Sequence, residues 1–432
     1  MTAGALLAAL AFALLGLAAY AYVGYPVAAR FLVPPLPPPP AGPDGRKGSD
    51  ALPTVSVLVA ARNEARVIGE RLRNLLAQDY PVDRIEILVA SDASDDGTDE
   101  IVESAGDPRV RLWRQEPRAG KTAAINHLGT LATGDILVQT DADVTFAPGA
   151  LRALAGAFAD PRVGVADGTV RFSNAESPEV AGGEGLYWRF ENWTKEVESE
   201  RGLLCVANGG IYALRRALWR PLPANVAGDA AEPLLAARAG HRTVVVPGAR
   251  AQVRAAGTLH EEFQRKVRII AQQVSCARWI GLSTLPPRTL WAYASHKLLR
   301  YAVPVLALLA LAAGAVAAVL GTRAGLLAVA AVLLPLAAAP LGFLTRPRAL
   351  ARLFRVPLYL VMINAAAAAG LARGLSGRAA ASWEVPASTR RQPAAVTPAP
   401  RHPAAPAPVL RDNRPRCRLR PPRPPRCAAS PR

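Results

Sequence analysis

Two carboxylates stand one residue apart at the end of an apolar segment. The stretch from Gly134 to Thr140 has the composition of a buried strand, and Asp141 and Asp143 follow it. Open α/β sheets bind their ligands at the carboxyl ends of the strands. There, two acidic side chains can hold a hard divalent cation together with phosphate oxygens. The pair therefore indicates a metal-diphosphate site, although solvated loop acids often show the same spacing.

Strand-like and helical segments alternate around this pair. The sequence predicts strands at 54–60, 85–90, 110–113 and 243–246, and helices at 64–78, 99–105 and 121–132. This βαβαβ order predicts an α/β fold with a mostly parallel sheet. The acidic pair would then lie at the edge of the sheet where nucleotides bind.

Apolar segments at both ends of the chain predict attachment to a membrane. The chain has 432 residues, and 51% of them are apolar, which is more than one soluble core requires. Residues 6–29 are long enough to cross a bilayer, and because no Lys or Arg precedes them, an uncleaved anchor is favoured over a signal peptide. Three more apolar segments lie at 301–320, 324–344 and 356–372. We expect a multi-pass protein of the cell membrane.

Charge places the α/β domain on the cytoplasmic side. Arg residues at 346, 348, 352 and 355 fill the gap before the last apolar segment, and such enrichment is typical of cytoplasmic loops. Three crossings would leave the tail outside, unless one apolar segment does not span. The resulting division is an anchor (1–29), a Pro-rich linker (30–52), the α/β domain (53–259), interface helices (260–300), membrane helices (301–372) and a tail (373–432).

The tail is rich in Pro and Arg. From Val385 onward it holds eleven Arg and one acid, Asp412. Such a segment buries too little apolar surface to fold, and we expect a disordered arm that contacts anionic membrane lipids. No aromatic residues interleave the charges, so nucleic-acid binding is disfavoured. The four cysteines are too scattered for a disulfide framework or a zinc site.

In order along the chain, these motifs resemble the membrane-bound glycosyltransferases of family 2, the inverting group that includes cellulose and poly-N-acetylglucosamine synthases. The resemblance runs from about Thr54 to Trp279 and implies a GT-A-like domain that uses magnesium or manganese. Val55 to Glu64 resembles the first strand and the loop over the nucleoside. Asp92 matches the aspartate that reads the uracil edge, since a carboxylate can accept the uracil N3 proton.

The same resemblance assigns the phosphate-binding residues. Lys121, after Arg118-Ala119-Gly120, matches a Gly-Lys step at a helix start, where a cation and backbone amides face the nucleotide. Asp143 corresponds to the direct metal ligand, and Asp141 to a ligand that also supports the donor diphosphate. A surface lysine remains the alternative for Lys121.

The resemblance also points to the catalytic base. Inversion by direct displacement needs a base that takes the proton of the acceptor hydroxyl, and Asp229 falls on that position. Gly228 stands where the family often has another acid, and Ala230 where it has a bulky residue. Glu232, one helical turn away, is the rival base. Downstream, Arg265 and Arg268 align with a segment that contacts the acceptor or the diphosphate.

We therefore predict an inverting glycosyltransferase. It would move a sugar from a UDP-sugar donor to a membrane-proximal glycan or lipid acceptor, for cell-surface polysaccharide or glycolipid synthesis, with association to other membrane subunits open. The alternative is a catalytically inactive nucleotide-binding membrane scaffold or a transport component. A transporter would place polar residues in its spans, and Asn364 is the one that stands out.

Overall fold

One sheet runs through the part of the chain that the computed structural model describes, residues 2–37, 52–172, 178–253, 258–341 and 348–379. Its strands are β1 Val55–Ala61, β2 Ile85–Asp92, β3 Val110–Gln115, β4 Ile136–Asp141, β5 Thr145–Phe146, β6 Val163–Phe172, β7 Tyr212–Arg215 and β8 Arg242–Val253. Their order across the sheet is β3-β2-β1-β4-β7-β6-β8-β5.

The first four strands in this order are all parallel. β1 pairs with β2 and with β4, and β2 pairs with β3. Next to β4, strand β7 runs antiparallel to β4 and to β6, whereas β6 and β8 are parallel. The predicted α/β fold with a mostly parallel sheet is confirmed.

Helices cover the sheet and extend from it at both ends of the chain. They are α1 Ala3–Leu32, α2 Ile68–Leu76, α3 Thr98–Glu103, α4 Lys121–Leu131, α5 Ala150–Gly156, α6 Pro178–Glu200, α7 Gly228–Arg238, α8 Leu259–Ile280, α9 Pro287–Val319, α10 Arg323–Ala338 and α11 Arg348–Leu375. The apolar face of α2, with Ile68, Leu72 and Leu75, packs in the core against β1.

Helix α2 starts four residues later than predicted. The amides of Val67 and Ile68 both donate to the carbonyl of Glu64, 2.9 Å away in each case. These bonds close a turn that follows β1 and precedes the helix. Glu64 therefore lies in the loop at the carboxyl end of β1.

Among the described residues, three helices are long and apolar enough to cross a membrane. They are α1, α9 and the Val356–Leu375 part of α11. Helix α1 is continuous over 30 residues and contains a π-helical turn at Tyr20–Gly24. Helix α10 is apolar but has only 16 residues, fewer than the roughly 20 that a bilayer requires. The helix in the predicted membrane segment 324–344 is therefore shorter than the sequence suggests.

Helix α9 runs without a break through residue 300, where the sequence predicts the boundary between interface helices and membrane helices. Lys297 and Arg300 interrupt the apolar pattern of the sequence, yet both lie inside the helix and donate to Glu191 of α6 at 2.7 Å. This pairing permits two charges to be buried in an apolar helix. The interface region 260–300 and the first C-terminal membrane helix therefore share one element.

Two glycines of α11 allow it to lie directly on α8. A Cβ at Gly370 would stand 2.7 Å from Ile270 Cβ, and one at Gly374 would stand 2.6 Å from Val274 Cβ. These contacts are too short for any side chain, so the Gly-x-x-x-Gly spacing sets the close approach. The end of α11 is thereby held against the helix that carries Arg265 and Arg268.

Several predictions fall on residues outside the described ranges. They concern most of the Pro-rich linker and the tail from Val385, including Cys417 and Cys427. The first linker residues are described, and the amide of Leu36 donates to the carbonyl of Glu200 at 2.8 Å. Cys205 and Cys276 are buried free thiols.

Candidate active site

Asp141 ends strand β4 and lies beside the start of helix α4. Its carboxylate accepts a hydrogen bond from Lys121 Nζ. The parallel register pairs Asp141 with Ala60 of β1, so the pair stands at the carboxyl edge of the sheet. Lys121 and Asp141, both predicted to bind the nucleotide, are therefore in direct contact.

Asp143 lies two residues further along and shares the environment of Asp141. Burial, reinforced by the negative charge of Asp141, raises the pKa of Asp143 to about 6. Burial opposes a charge on Lys121, but the Asp141 carboxylate raises the pKa of Lys121 overall. Two neighbouring carboxylates, one of which has a raised pKa, fit a divalent cation. Within the described ranges, no three His, Cys, Asp or Glu side chains are grouped as metal ligands, so phosphate or water oxygens would have to complete the shell.

Arg71 is a buried cation behind the acidic pair that sequence reasoning missed. Its Nη2 donates to Thr140 Oγ1 at 2.8 Å, and Thr140 Oγ1 donates to the carbonyl of Gly210 at 2.7 Å. Burial lowers the pKa of Arg71 to about 9, against the opposing effect of Asp143 and Asp141. Arg71 occurs on the apolar face of α2, between Ile68 and Leu75, and an arginine at such a position is the signal that could have revealed it.

Asp229 lies in the first turn of helix α7, which faces the end of β4. Its carboxylate approaches Gly209, where an added Cβ would stand 3.0 Å from Asp229 Oδ2. The Ala207 amide donates to the backbone carbonyl of Asp229 at 2.9 Å and ties this turn to the 207–210 segment. Burial raises the pKa of Asp229, Lys121 lowers it and Asp141 raises it again. A raised carboxylate pKa suits a general base.

Glu232 is engaged in a buried hydrogen-bond network. Gln139 Nε2 donates to its two carboxylate oxygens at 2.7 and 2.9 Å, and Tyr212 OH donates to Gln139 Oε1 at 2.6 Å. Burial raises the pKa of Glu232 to about 7 although these hydrogen bonds lower it. Glu232, the alternative candidate for the base, is therefore fixed in position by hydrogen bonds from Gln139.

The same network explains Gly228, where the family pattern has an acid. A Cβ at Gly228 would stand 2.5 Å from Tyr212 Oη and 3.1 Å from Gln139 Oε1. The tyrosine hydroxyl fills the space that a side chain at position 228 would need. The departure from the pattern is therefore compensated by packing from β7 and β4.

Asp92 ends strand β2 and is buried. Its side chain has no exposed surface, and it accepts hydrogen bonds from the amides of Ala119 and Gly120 at 2.9 to 3.2 Å. Gln115 Nε2 also donates to it. In this structure Asp92 anchors the loop that leads to Lys121, and it does not line the cavity described below. The contact with a uracil base stays a prediction.

Arg265 and Arg268 lie on helix α8, one turn apart. Arg265 Nε donates to Glu262 at 2.7 Å. Arg268 makes no ion pair with any residue in the described ranges, and its electrostatic neighbours are Asp141 and Arg265. Burial lowers the pKa of Arg268. Of the two, Arg268 is the better placed for an anion.

One cavity of about 740 Å³ joins these residues. The predicted residues that line it are Glu64, Lys121, Asp141, Asp143, Asp229, Glu232, Arg265 and Arg268. Its wall also includes Trp188 of α6 and residues of the helices apolar enough to cross a membrane, among them Tyr22, Tyr301, Ile363 and Ala367. A polar site at a sheet edge is thus continuous with an apolar wall.

Comparison with known proteins agrees with this fold. The glycosyl transferase family 2 profile matches residues 56–220. A beta-monoglucosyldiacylglycerol synthase of Trichormus variabilis is 29% identical over 173 residues, 39% of this chain and 37% of the relative. An N-acetylglucosaminyltransferase of Rhizobium leguminosarum bv. viciae is 28% identical over 218 residues, 46% and 51% of the two chains. The matched part therefore spans about a third to a half of these curated relatives.

A solved structure matches much more of the chain. The mannosyltransferase PcManGT from Pyrobaculum calidifontis, in complex with GDP-Man and Mn²⁺, is 28% identical. The match has a TM-score of 0.63 and covers 86% of this chain and 99% of that one. The chain therefore carries a glycosyl transferase family 2 domain with the GT-A fold.

Proposed function

We propose that this protein transfers a sugar, with inversion, from a nucleoside-diphosphate sugar to an acceptor at a membrane. The observation that carries the proposal is the cavity of about 740 Å³ that joins the candidate site residues. It holds the carboxylate pair Asp141 and Asp143, the buried carboxylate Asp229 and the apolar wall of α1, α9 and α11. Donor chemistry and a membrane-borne acceptor can meet in such a space. The helices would hold the α/β domain at the cytoplasmic face of the cell membrane.

Each polar residue then has a role in the transfer. Asp141 and Asp143 would hold a Mg²⁺ or Mn²⁺ ion, which when bound neutralises charge on the diphosphate. Lys121 orients Asp141 and adds a positive charge beside it. Arg268 is available to the diphosphate as its charge develops, and Glu64 borders the nucleoside side of the cavity.

Asp229 is the general base of the proposed reaction. It accepts the proton of the acceptor hydroxyl while that oxygen attacks the anomeric carbon and the bond to the nucleoside diphosphate breaks. Its burial and raised pKa support this role. Glu232, which accepts hydrogen bonds from Gln139, stabilises the packing beside Asp229 and does not accept the proton of the acceptor hydroxyl.

Two donor classes are consistent with the site. The sequence resemblance favours a UDP-sugar. The Pyrobaculum calidifontis structure, which matches most of this chain, contains GDP-Man and favours a GDP-sugar. A carboxylate can accept a hydrogen bond from the N3–H of uracil and equally from an N–H of guanine, so the predicted role of Asp92 does not decide between the two donor classes. We place UDP-sugars first and GDP-mannose second.

The test is nucleoside diphosphate release by the full-length protein in detergent. UDP-sugars and GDP-mannose are supplied with Mn²⁺ and membrane lipid extract. We expect release from one donor, lost by at least 100-fold in Asp143→Ala and on chelation of the metal. Asp83→Ala removes an exposed carboxylate outside the cavity and serves as the control. Release that persists in Asp143→Ala or after chelation would overturn the metal-site assignment.

A further inference from the structure

A buried ion pair between α6 and β6 borders the cavity. Lys195 Nζ of α6 donates to Asp167 Oδ2 of β6 at 2.8 Å. Both residues are buried, with 5% of Lys195 and none of Asp167 exposed. Lys195 lines the cavity on the same face of α6 as Trp188 and Glu191. The roles described above for the metal, the diphosphate and the base do not use this pair.

Asp167 holds the segment 207–210 from one side. Its Oδ1 accepts a hydrogen bond from the Asn208 amide at 2.6 Å. Asn208 Nδ2 donates to the carbonyl of Gly168 at 2.9 Å. These bonds join β6 to the residues that precede β7. Lys195 completes the arrangement, because it neutralises the carboxylate that accepts from the Asn208 amide.

Asp229 lies against the other side of the same segment. The Ala207 amide donates to the backbone carbonyl of Asp229 at 2.9 Å. The backbone of Gly209 is so close to Asp229 that an added Cβ would stand 3.0 Å from Oδ2. The segment is thus hydrogen-bonded to Asp167 at position 208 and packed on the Asp229 carboxylate at position 209. A displacement of Asp167 would therefore move the backbone that packs on Asp229.

Charge also connects the pair with Asp229. Charged side chains from several elements face Asp229, and they are Lys121 of α4, Asp141 of β4, Lys195 of α6 and Asp167 of β6. Other titratable side chains on which the charge of Asp229 acts are Glu232, Tyr212, Cys276 and Tyr301. Burial raises the pKa of Asp229, and within the pair Lys195 lowers this pKa whereas Asp167 raises it. The two members therefore act on Asp229 in opposite directions.

We propose that Lys195 and Asp167 are positioning residues for the general base Asp229. They fix the segment 207–210 against its carboxylate and set the charge that faces it. This inference rests on the proposed function and adds two residues that the sequence analysis did not single out. Lys195 acts by holding Asp167 and by favouring the ionised form of Asp229, which is the form that can accept a proton.

The experiment measures how the rate of sugar transfer depends on pH. Full-length protein in detergent receives saturating Mn²⁺, the donor that the release assay selects and membrane lipid extract. In the native protein the rate should fall on the acid side as Asp229 becomes protonated. Lys195→Met removes a cation, so this acid limb should move to higher pH by about half a unit or more. Asp167→Asn removes an anion, so the limb should move to lower pH.

The opposite shifts distinguish this role from a merely structural one. Both substitutions break the same ion pair, so a loss of packing alone would lower both rates without moving the acid limb in opposite directions. Lys195→Arg keeps the charge and should keep the native limb. The control is Arg152→Met, which breaks an exposed ion pair with Asp79 and does not line the cavity. It should leave the rate and the limb unchanged.

Two other carboxyl groups of the cavity titrate near the same pH. The pKa of Glu232 is about 7, and that of Asp143 is about 6. The profiles are therefore repeated in a Glu232→Gln background, and saturating Mn²⁺ keeps Asp143 ionised. If Lys195→Met does not fold, Asp167→Asn is compared with Asp167→Asn/Lys195→Met. Both members of the pair are neutral in the double variant, and its limb should lie at higher pH than that of Asp167→Asn.

The outcomes separate the inference from the proposed function. If Asp229→Asn keeps the native rate and acid limb, Asp229 is not the base, and the inference fails together with that part of the proposed function. If Asp229→Asn loses the rate, two results would overturn the inference alone. One is a native limb in both single variants or a shift of both limbs in the same direction. The other is a limb in Lys195→Arg that moves as far as in Lys195→Met.

Discussion

Replacing Gly228 with alanine tests the packing that compensates for the missing acid. The new Cβ would stand 2.5 Å from Tyr212 Oη and 3.1 Å from Gln139 Oε1. The Tyr212 side chain must therefore move, and its hydrogen bond of 2.6 Å to Gln139 would be strained or broken. Overpacking costs about 1 to 3 kcal/mol, and a lost buried hydrogen bond costs about 1 to 3 kcal/mol. Alanine recovers at most about 1 kcal/mol in a helix.

We expect Gly228→Ala to be destabilised by about 2 kcal/mol or more. For a domain of this size the thermal midpoint would fall by about 4 °C or more. Because Asp229 is the next residue, its carboxylate would move, and a misplacement of about 1 Å can reduce turnover about 100-fold. The assays are thermal unfolding in detergent and nucleoside diphosphate release.

Two further variants make this prediction refutable. Tyr212→Phe removes the oxygen that the new methyl group would strike, so Gly228→Ala/Tyr212→Phe should recover part of the stability that Gly228→Ala loses. Gly156→Ala adds a Cβ that meets nothing within 4 Å, and it should be as stable as the native protein. A stable, active Gly228→Ala, or the absence of any rescue by Tyr212→Phe, would refute the proposed packing of Gly228 against Tyr212 and Gln139.

Three other predictions follow from buried charges and close packing. The folded-state pKa of Glu232, about 7, lies above its unfolded value, so the protein should lose stability as pH rises from about 4.5 to 7, by roughly 3 kcal/mol; Glu232→Gln should flatten that dependence in thermal unfolding. Arg71→Met should leave the acidic pair without its buried cation. Nucleotide binding by this variant should then depend less on Mn²⁺ than in the native protein, with the smallest difference at saturating Mn²⁺, and thermal unfolding is measured in parallel. Gly374→Val should separate α11 from α8, because the added atoms meet Val274 within 2.6 Å, and cross-linking between cysteines placed on the two helices should fall; unchanged cross-linking would contradict the packing argument.

The sheet and the meeting of Asp141 with Lys121 could be predicted from local sequence. The strand β4 and its acidic end are encoded in consecutive residues, and parallel pairing brings such ends to one edge. Lys121 starts a helix that directly precedes β4, so its meeting with Asp141 follows from the βαβ order. Asp229 came from the resemblance, and the structure places it in the same cavity.

Other features depend on contacts distant in sequence. The hydrogen bond from Lys297 to Glu191 joins residues 106 positions apart, and no local sequence pattern predicts it. The sequence therefore suggested an interrupted apolar run where the structure has one helix. The hydrogen bonds that Asp92 accepts from the amides of Ala119 and Gly120 are likewise contacts between residues distant in sequence that the motif does not predict. Gly228 became intelligible only when Tyr212 was seen beside it.

The most direct test of the central claim is the rate of sugar transfer in Asp229→Asn compared with Glu232→Gln, measured on full-length protein with the donor that the release assay selects and with membrane lipid extract as the source of acceptor. Removal of the general base should lower the rate by about 10² to 10⁴, while Glu232→Gln should lower it by less than about tenfold because Gln139 and Tyr212 still fill that corner. Nucleotide binding should be the same in both variants. Transfer that survives in Asp229→Asn and is abolished in Glu232→Gln would contradict the assignment of Asp229 as the base.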